Sequence, residues 1–334
     1  MPLTSHLASA ESPVRQFIYR SAPQLALAGT RGLQGKAIAS SFGFEELTAL
    51  ATQLPIPEEV TDRKSHASVA GIALDYRLRM DLPGFDFEQT VANRGLERLA
   101  ADPSVIHRGK HIYKLLHEAF NLAYLTLQEK DPHPLSLARA SVPLAWCESI
   151  ARGGPHDALS GNLGRQIKRA KDSVSLMMSI DESMIFDIAL MQRAVAPLLA
   201  EWNLDIAAGG QYRPNPSFLG SAVVGGADAD WVIGDVLVDL KTREQITNPW
   251  IRNTLFQLLG YALLDLDDSL GIRRVGILLP RQPYFAVWSL DDLLNADASE
   301  ALPSLRADFA VLLSELMERR LEGAEVAGKA PQGL

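Results

Sequence analysis

Asp228, Asp230, Asp239 and Lys241 all fall within ADADWVIGDVLVDLKT, residues 227–242. The apolar runs on either side of Gly234-Asp235 read as two short antiparallel strands joined by a tight turn. Asp230 begins the first strand and Asp239 ends the second, so both reach the same end of the hairpin, where cross-strand neighbours lie about 4.5–5.5 Å apart. Side chains alternate along a strand, which puts Lys241 on the face of Asp239. Two carboxylates at that spacing repel unless a cation joins them. Mg²⁺ suits the pair, because it takes hard oxygen ligands and keeps several waters. A phosphate oxygen can displace one water, and another, acidified by the metal, can attack the phosphorus in line. Lys241 would orient that nucleophile or neutralise charge developing in the transition state. This chemistry is phosphodiester hydrolysis. The competing reading of an Asp-apolar-Lys strand end is an exposed salt-bridge ladder. Asp228 also competes with Asp230 for the ligand position; Asp230 is preferred because DWVI runs directly into the strand.

The next segment adds polar groups at helical spacing. FQLLGY puts Gln257 and Tyr261 at i and i+4 on one helix face, where an amide and a phenol can hydrogen-bond a phosphate backbone or hold the lysine. A helix rim facing solvent is the alternative.

The elements that must position these groups change character along the chain. Residues 1–66 read as short helices broken by Pro and Gly, with the best stretch in LQGKAIASSFGFEELTALATQL and a stop at PIPEE. SHASVAGIALDYRLRM carries an apolar face at helical spacing before DLPGFD breaks the chain. From about 86 to 202 the pattern is almost wholly helical, with Pro197 predicting a kink or a junction; EKDPHPLS and ARGGPHDALSGN are the clearest loops. After AAGGQYRPNPSFLG the texture turns to β. SAVVGGA, DWVIG and VLVDLKT are expected strands, followed by a helix over WIRNTLFQLLGYALLDLDD, a strand in RRVGILLP and another in YFAVWSL. A helix covers about 303–322, and EGAEVAGKAPQGL reads as a loose tail.

Composition bounds the function classes. The 334 residues are 47% hydrophobic and 22% charged, ordinary for a globular protein with a sizeable core. No charge-free apolar run of about 18 residues indicates a membrane span, and MPLTSHLASAESPVRQ lacks the features of a secretory signal. Cys147 is the single cysteine, which excludes an internal disulfide, a multi-cysteine zinc site and a four-cysteine iron–sulfur cluster; a cytoplasmic location is expected. The net charge of −8 argues against general coating of nucleic acid. Its distribution is uneven: residues 105–171 hold ten Lys/Arg against five Asp/Glu, leaving about −13 on the remainder. Within that segment RQIKRAK aligns Arg165, Lys168 and Arg169 on one helical face, and HRGKHIYK adds Arg108, Lys110 and Lys114. Such a face can grip phosphates, although a solvated helix is the plainer explanation.

Taken together, GGADADWVIGDVLVDLKT followed by QLLGY resembles the PD-(D/E)XK nuclease superfamily, and within it the RecB-like branch that includes CRISPR-associated exonucleases. The resemblance covers about 75 residues and one helix upstream. It implies that Asp230 and Asp239 ligate metal, helped by the carbonyl of Leu240, that Lys241 is the catalytic lysine, and that Gln257 and Tyr261 form the accessory motif. The branch takes a further ligand, often His, four residues after a Gly on an upstream helix; GIALDY offers Gly71 and then Asp75, whose rival role is an ion pair with Arg77 or Arg79. The Pro that can precede the first Asp is absent here.

The expected fold is therefore α/β, a PD-(D/E)XK-like core of mixed central sheet flanked by helices, with a large helical insertion. The divisions are an N-terminal helical segment (1–66), a first core helix (67–81), the insertion (82–205), the nuclease-like core (206–300), a C-terminal helix (301–322) and a tail (323–334). The expected function is a Mg²⁺- or Mn²⁺-dependent nuclease acting on DNA in preference to RNA, alone or within a multiprotein nuclease or defence complex. The alternative is a nuclease-fold subunit that binds nucleic acid or serves as scaffold with catalysis weak or lost. GTRGLQGKA lacks the spacing and leading strand of a P-loop, the histidines of 107–117 lack an acid at zinc-site spacing, and Cys147 reads as a buried apolar residue. Trp231, Trp250 and Trp288 read as core or hairpin cover, with base stacking as the alternative.

Overall fold

All of Val236–Leu240 is buried, as is all of Trp231–Ile233, so the sheet holding these strands must be covered on both faces. The computed structural model, which describes residues 2–30, 42–102, 110–227 and 229–326, provides that cover. Five strands, β1 (Tyr212–Pro214), β2 (Trp231–Ile233), β3 (Val236–Leu240), β4 (Arg274–Leu279) and β5 (Tyr284–Ser289), lie side by side in chain order. Only the β3–β4 pair is parallel. A parallel neighbour needs a crossover, and the helix Asn248–Leu264 supplies it. The protein is α/β, with a mixed sheet between two helical layers.

One layer comes from the middle of the chain: α5 (Arg63–Arg79), α6 (Val91–Ala101), α7 (Lys110–Leu127), α8 (Pro134–Gly153), α9 (Pro155–Ser160), α10 (Asn162–Arg169), α11 (Ser173–Met178) and α12 (Glu182–Ala207). Its core includes Trp231, Ile233, Val236, Val238 and Leu240 from the sheet. The other layer joins the N-terminal helices α1 (Leu3–Ala8), α2 (Pro13–Ser21), α3 (Pro23–Leu27) and α4 (Phe44–Ala49) to the crossover helix α13 (Asn248–Leu264), α14 (Leu290–Leu294) and α15 (Ala298–Val326). It packs on Val232, Leu237, Val275, Ile277 and Leu279. Alternation along β2 and β3 sorts these two sets.

Several expectations need correction. SAVVGGA is not a strand: bonds from Gly225 N to Ala222 O and from Gly226 N to Ser221 O fold it into turns, and local hydrogen bonding overrides the β propensity of Ala-Val-Val. The first strand is instead Tyr212–Pro214, whose register on β2 a sequence window cannot reveal. Pro197 makes no junction, since α12 runs unbroken from Glu182 to Ala207. The helices within the expected insertion, 82–205, pack their apolar faces on the sheet. The C-terminal helix reaches Val326, and 327–334 lie outside the described residues. Among the described residues α12 alone is long and apolar enough to cross a membrane, yet Ile185, Ile188, Met191, Val195, Leu199 and Trp202 pack in the core. Trp231 and Trp288 are buried as core residues.

A buried ion cluster ties the first helical layer to the sheet. Arg281, 0% exposed, makes a bidentate pair with Asp187 of α12 at 2.9 and 2.8 Å, and His66 Nε2 of α5 lies 2.8 Å from Asp187 Oδ2. Burial works against the Asp187 charge, but these hydrogen bonds hold its carboxyl below the usual range. Arg281 also donates to Thr242 O at 2.9 Å and Leu54 O at 2.8 Å, fixing the chain just past β3. Asp187→Ala would leave a buried guanidinium without its counter-charge. The expected loss is about 3–5 kcal/mol, read from the urea midpoint at constant m-value; an unchanged midpoint would show that Arg281 reaches water.

Candidate functional site

The β2–β3 hairpin assembles the site. Gly234, at φ +58°, takes the first central position of a two-residue turn, where a type II′ turn calls for glycine. The register pairs Ile233 with Val236, Val232 with Leu237 and Trp231 with Val238. One step further brings Asp230 opposite Asp239, as the sequence predicts. Asp230 Oδ2 accepts the Leu240 backbone N–H at 2.7 Å, which pins it to the strand end. Lys241 Nζ lies 3.0 Å from Asp239 Oδ1 and 2.8 Å from Oδ2. Lys241 N donates to Leu278 O at 2.9 Å, so β4 holds the lysine's backbone.

The electrostatics follow from burial. Asp239 is 3% exposed, and its carboxyl is pushed up to about 6: desolvation raises it, Lys241 opposes, and Asp230 raises it further. Burial works against the Lys241 charge, but Asp239 and Asp230 together hold its ammonium protonated well above the ordinary lysine value. Asp239 Oδ2 is buried and receives no well-directed hydrogen bond.

Gln257 and Tyr261 come from α13, which covers the Asp239 face of β3. Gln257 Nε2 donates to Tyr261 Oη at 2.8 Å. The Tyr261 ring stacks on Phe218, with centroids 5.5 Å apart, and its phenol is pushed up to about 12, chiefly by burial. Asp230, Asp239, Lys241, Gln257 and Tyr261 all line one cleft of about 620 Å³. Trp250, half-buried with Arg243 over its ring, lines an adjoining hollow shared with Lys241 and Gln257.

Asp75 stands one layer behind. Its helix passes close to the strand end, where a Cβ on Gly71 would meet Thr242 Oγ1 at 3.1 Å. Arg79 grips the Asp75 carboxylate, Nε to Oδ1 at 3.0 Å and Nη2 to Oδ2 at 2.5 Å. Burial pushes Asp75 up to about 7, Arg79 opposes, and Asp230 and Glu148 add to the rise. It therefore feels Asp230 but does not line the cleft. Of the two rival partners, Arg79 takes it; Arg77 bonds Asp81 at 2.6 Å. Asp228 and Arg108 lie outside the described residues, as does the side chain of Lys110.

The expected phosphate-gripping face lies elsewhere. Arg165, Lys168 and Arg169 are exposed on α10, and Arg165 lines a separate cavity of about 410 Å³ beside His66 and Trp146. Lys114 is exposed, 3.8 Å from Glu118. Among the described residues the cations that do line the carboxylate cleft, besides Lys241, are Arg94 and Arg98 of α6 and Arg152 at the end of α8. The sequence carried a signal for two of them, the i, i+4 spacing in NRGLER, but it falls just before the basic stretch.

Asp230, Asp239 and the Leu240 carbonyl offer hard oxygens of the kind Mg²⁺ prefers, and Mg²⁺ needs only one or two protein carboxylates when phosphate and water complete its shell. Asp239 Oδ2, which faces the Lys241 ammonium at 2.8 Å but receives no well-directed hydrogen bond, fits such an ion. Among the described residues no group of three or more His, Cys, Asp and Glu side chains converges as a ready-made metal cage. No family model, curated protein or solved structure matches this chain.

Asp239 gives a pH prediction. Its folded pKa, about 6, is raised above the ordinary 3.8, so its contribution to stability is full below about pH 4 and lost as pH rises through 6. The difference is bounded at about 3 kcal/mol. Wild type should therefore lose Tm relative to Asp239→Asn between pH 4 and 7, and saturating Mg²⁺ should restore part of it only at the upper end. Parallel Tm profiles would mean that this carboxyl titrates normally.

Proposed function

We propose that the protein is a divalent-metal-dependent nuclease with a PD-(D/E)XK core of RecB-like type, hydrolysing phosphodiester bonds in DNA in preference to RNA. The observation that carries this reading is the meeting of Asp230, Asp239 and Lys241 at one strand end, within a cleft lined also by Gln257 and Tyr261. The element order supports it: an antiparallel hairpin ending in Asp-Leu-Lys, a crossover helix carrying Gln and Tyr, then a parallel strand.

Asp230, Asp239 and the Leu240 carbonyl would hold Mg²⁺ or Mn²⁺. Such an ion, when bound, supplies Lewis-acid polarisation of a phosphate oxygen and acidifies a water. The chain's own groups do the rest. Lys241, kept charged by its carboxylate neighbours, has three N–H donors; one stays on Asp239 while the others neutralise charge growing on the phosphoryl oxygens. Tyr261 keeps its proton at neutral pH, and Gln257 orients the phenol so that its O–H points to the phosphate backbone. Leu240 N–H holds Asp230 in its ligating orientation.

A second reading has an observation of its own. Asp75, the candidate further ligand, is bound to Arg79, which favours a nuclease-fold subunit that binds nucleic acid or braces a larger assembly with little catalysis. Purified protein incubated with linear, circular and single-stranded DNA, with Mg²⁺, Mn²⁺ or EDTA, separates the two. Cleavage should require metal and fall about 10²–10³-fold in Lys241→Ala, whose partly exposed side chain leaves the core intact. Binding without cleavage under every metal condition would leave the second reading standing, and equal cutting by the mutant would place the activity elsewhere.

A further inference from the structure

Among the described residues sixteen line the carboxylate cleft, and the charged ones are unequal in sign: Arg94, Arg98, Arg152 and Lys241 against Asp230 and Asp239. Among these lining residues cations thus outnumber carboxylates four to two, in a chain whose net charge is −8, and a walled cleft concentrates such a field. Lys241 is engaged by Asp239 at the floor. The arginines come from the wall.

That wall is braced. Arg94 and Arg98 stand one turn apart on α6, exposed on the same face. Arg98 Nη1 donates to Ala151 O at 2.6 Å, and Arg152 Nε donates to Glu148 Oε1 at 2.8 Å. Glu148 is buried and accepts the Tyr76 O–H at 2.5 Å, while Tyr76 Oη accepts the Ala92 N–H at 3.1 Å. One network therefore links α5, α6 and α8 behind the guanidinium groups. The α6–α8 spacing is set by Gly95, where an added Cβ would lie 1.8 Å from Cys147 O; no other residue allows so close an approach. Planar guanidinium forks match phosphate oxygens, and prior bracing reduces the entropy lost on binding.

We propose that Arg94, Arg98 and Arg152 form a second phosphate subsite, which takes the non-scissile phosphate of a nucleic-acid strand whose neighbouring phosphodiester sits at Asp239 and Lys241. The choice of a polynucleotide as ligand rests on the nuclease reading; the anion subsite rests on the arginine wall. The subsite fixes the register of the strand in the cleft without contributing to the chemical step.

The test is binding in EDTA, which removes catalysis from the measurement. A short fluorescein-labelled single strand of DNA is titrated with wild type, Arg94→Ala/Arg98→Ala, Arg152→Ala and, as a control of equal charge loss, Arg165→Ala/Arg169→Ala, by anisotropy over a range of salt. The expected result is about tenfold or more weaker binding in the α6 double variant, with a salt slope shallower by about 0.7 for each phosphate left unneutralised, and wild-type behaviour in the control. Circular dichroism verifies the fold, and Arg94→Lys/Arg98→Lys should recover the salt slope while recovering affinity only in part, because lysine lacks the fork. Equal weakening in the control, or wild-type binding by the α6 variant, would overturn the subsite. Loss of cleavage in Lys241→Ala with binding intact bears only on the catalytic reading.

Discussion

The two-residue turn at Gly234-Asp235 sets the register on which the site depends. In a sheet covered on one face, a one-residue slip would expose the apolar set and so be penalised. β3 lacks that safeguard, because all five of its residues are buried. The turn replaces it. Gly234 takes the positive φ that the hairpin requires, and Asp235 is anchored to β4 from two directions. Its carbonyl accepts from Arg273 N at 3.0 Å and Arg274 N at 3.1 Å, and its carboxylate is gripped by the Arg274 guanidinium. A slip would carry Asp239 and Lys241 to the face packed under α5–α12, away from Gln257 and Tyr261.

Around that register lies an unusual amount of buried charge. Arg79 holds Asp75, reaches Asn215 Oδ1 at 2.8 Å, and lies 3.5 Å from the backbone carbonyl of Asp230. Arg281 holds Asp187 and the carbonyl of Thr242. The two guanidinium groups thus brace the hairpin at Asp230 and just beyond Lys241. Buried pairs of this kind contribute little net stability, since desolvation offsets most of the attraction, but breaking one is severe. Their effect is to make the geometry at Asp230, Asp239 and Lys241 difficult to deform. That suits a site in which two carboxylates must stay close despite their repulsion.

The helical layer of α5–α12 has two tasks at once. Its apolar residues cover one face of the sheet, and the edge formed by α6 and α8 stands over the strand end as the arginine-bearing wall. The close approach at Gly95 and Cys147 O joins these tasks, because the packing that completes the core also sets where Arg94 and Arg98 emerge. The basic face of α10 takes no part in this cleft; it borders another cavity.

What could be read without coordinates was local. The turn at Gly234, the strand alternation that pairs Asp239 with Lys241, and the i, i+4 meeting of Gln257 with Tyr261 all follow from periodicities of two or 3.6 residues. The α/β class and the strand–helix–strand order likewise needed only short-range patterns, although the first strand was misplaced because turn hydrogen bonds outweighed the β propensity of Ala-Val-Val. Contacts between distant segments decided the rest. Arg281 found Asp187 across 94 residues of chain, whereas the Asp75–Arg79 pair, one helical turn apart, was among the local alternatives. Arg94, Arg98 and Arg152 became one wall through helix packing at a glycine, which no spacing along the chain encodes. Local backbone geometry specified the strand end where Asp230, Asp239 and Lys241 meet; long-range packing specified what faces it.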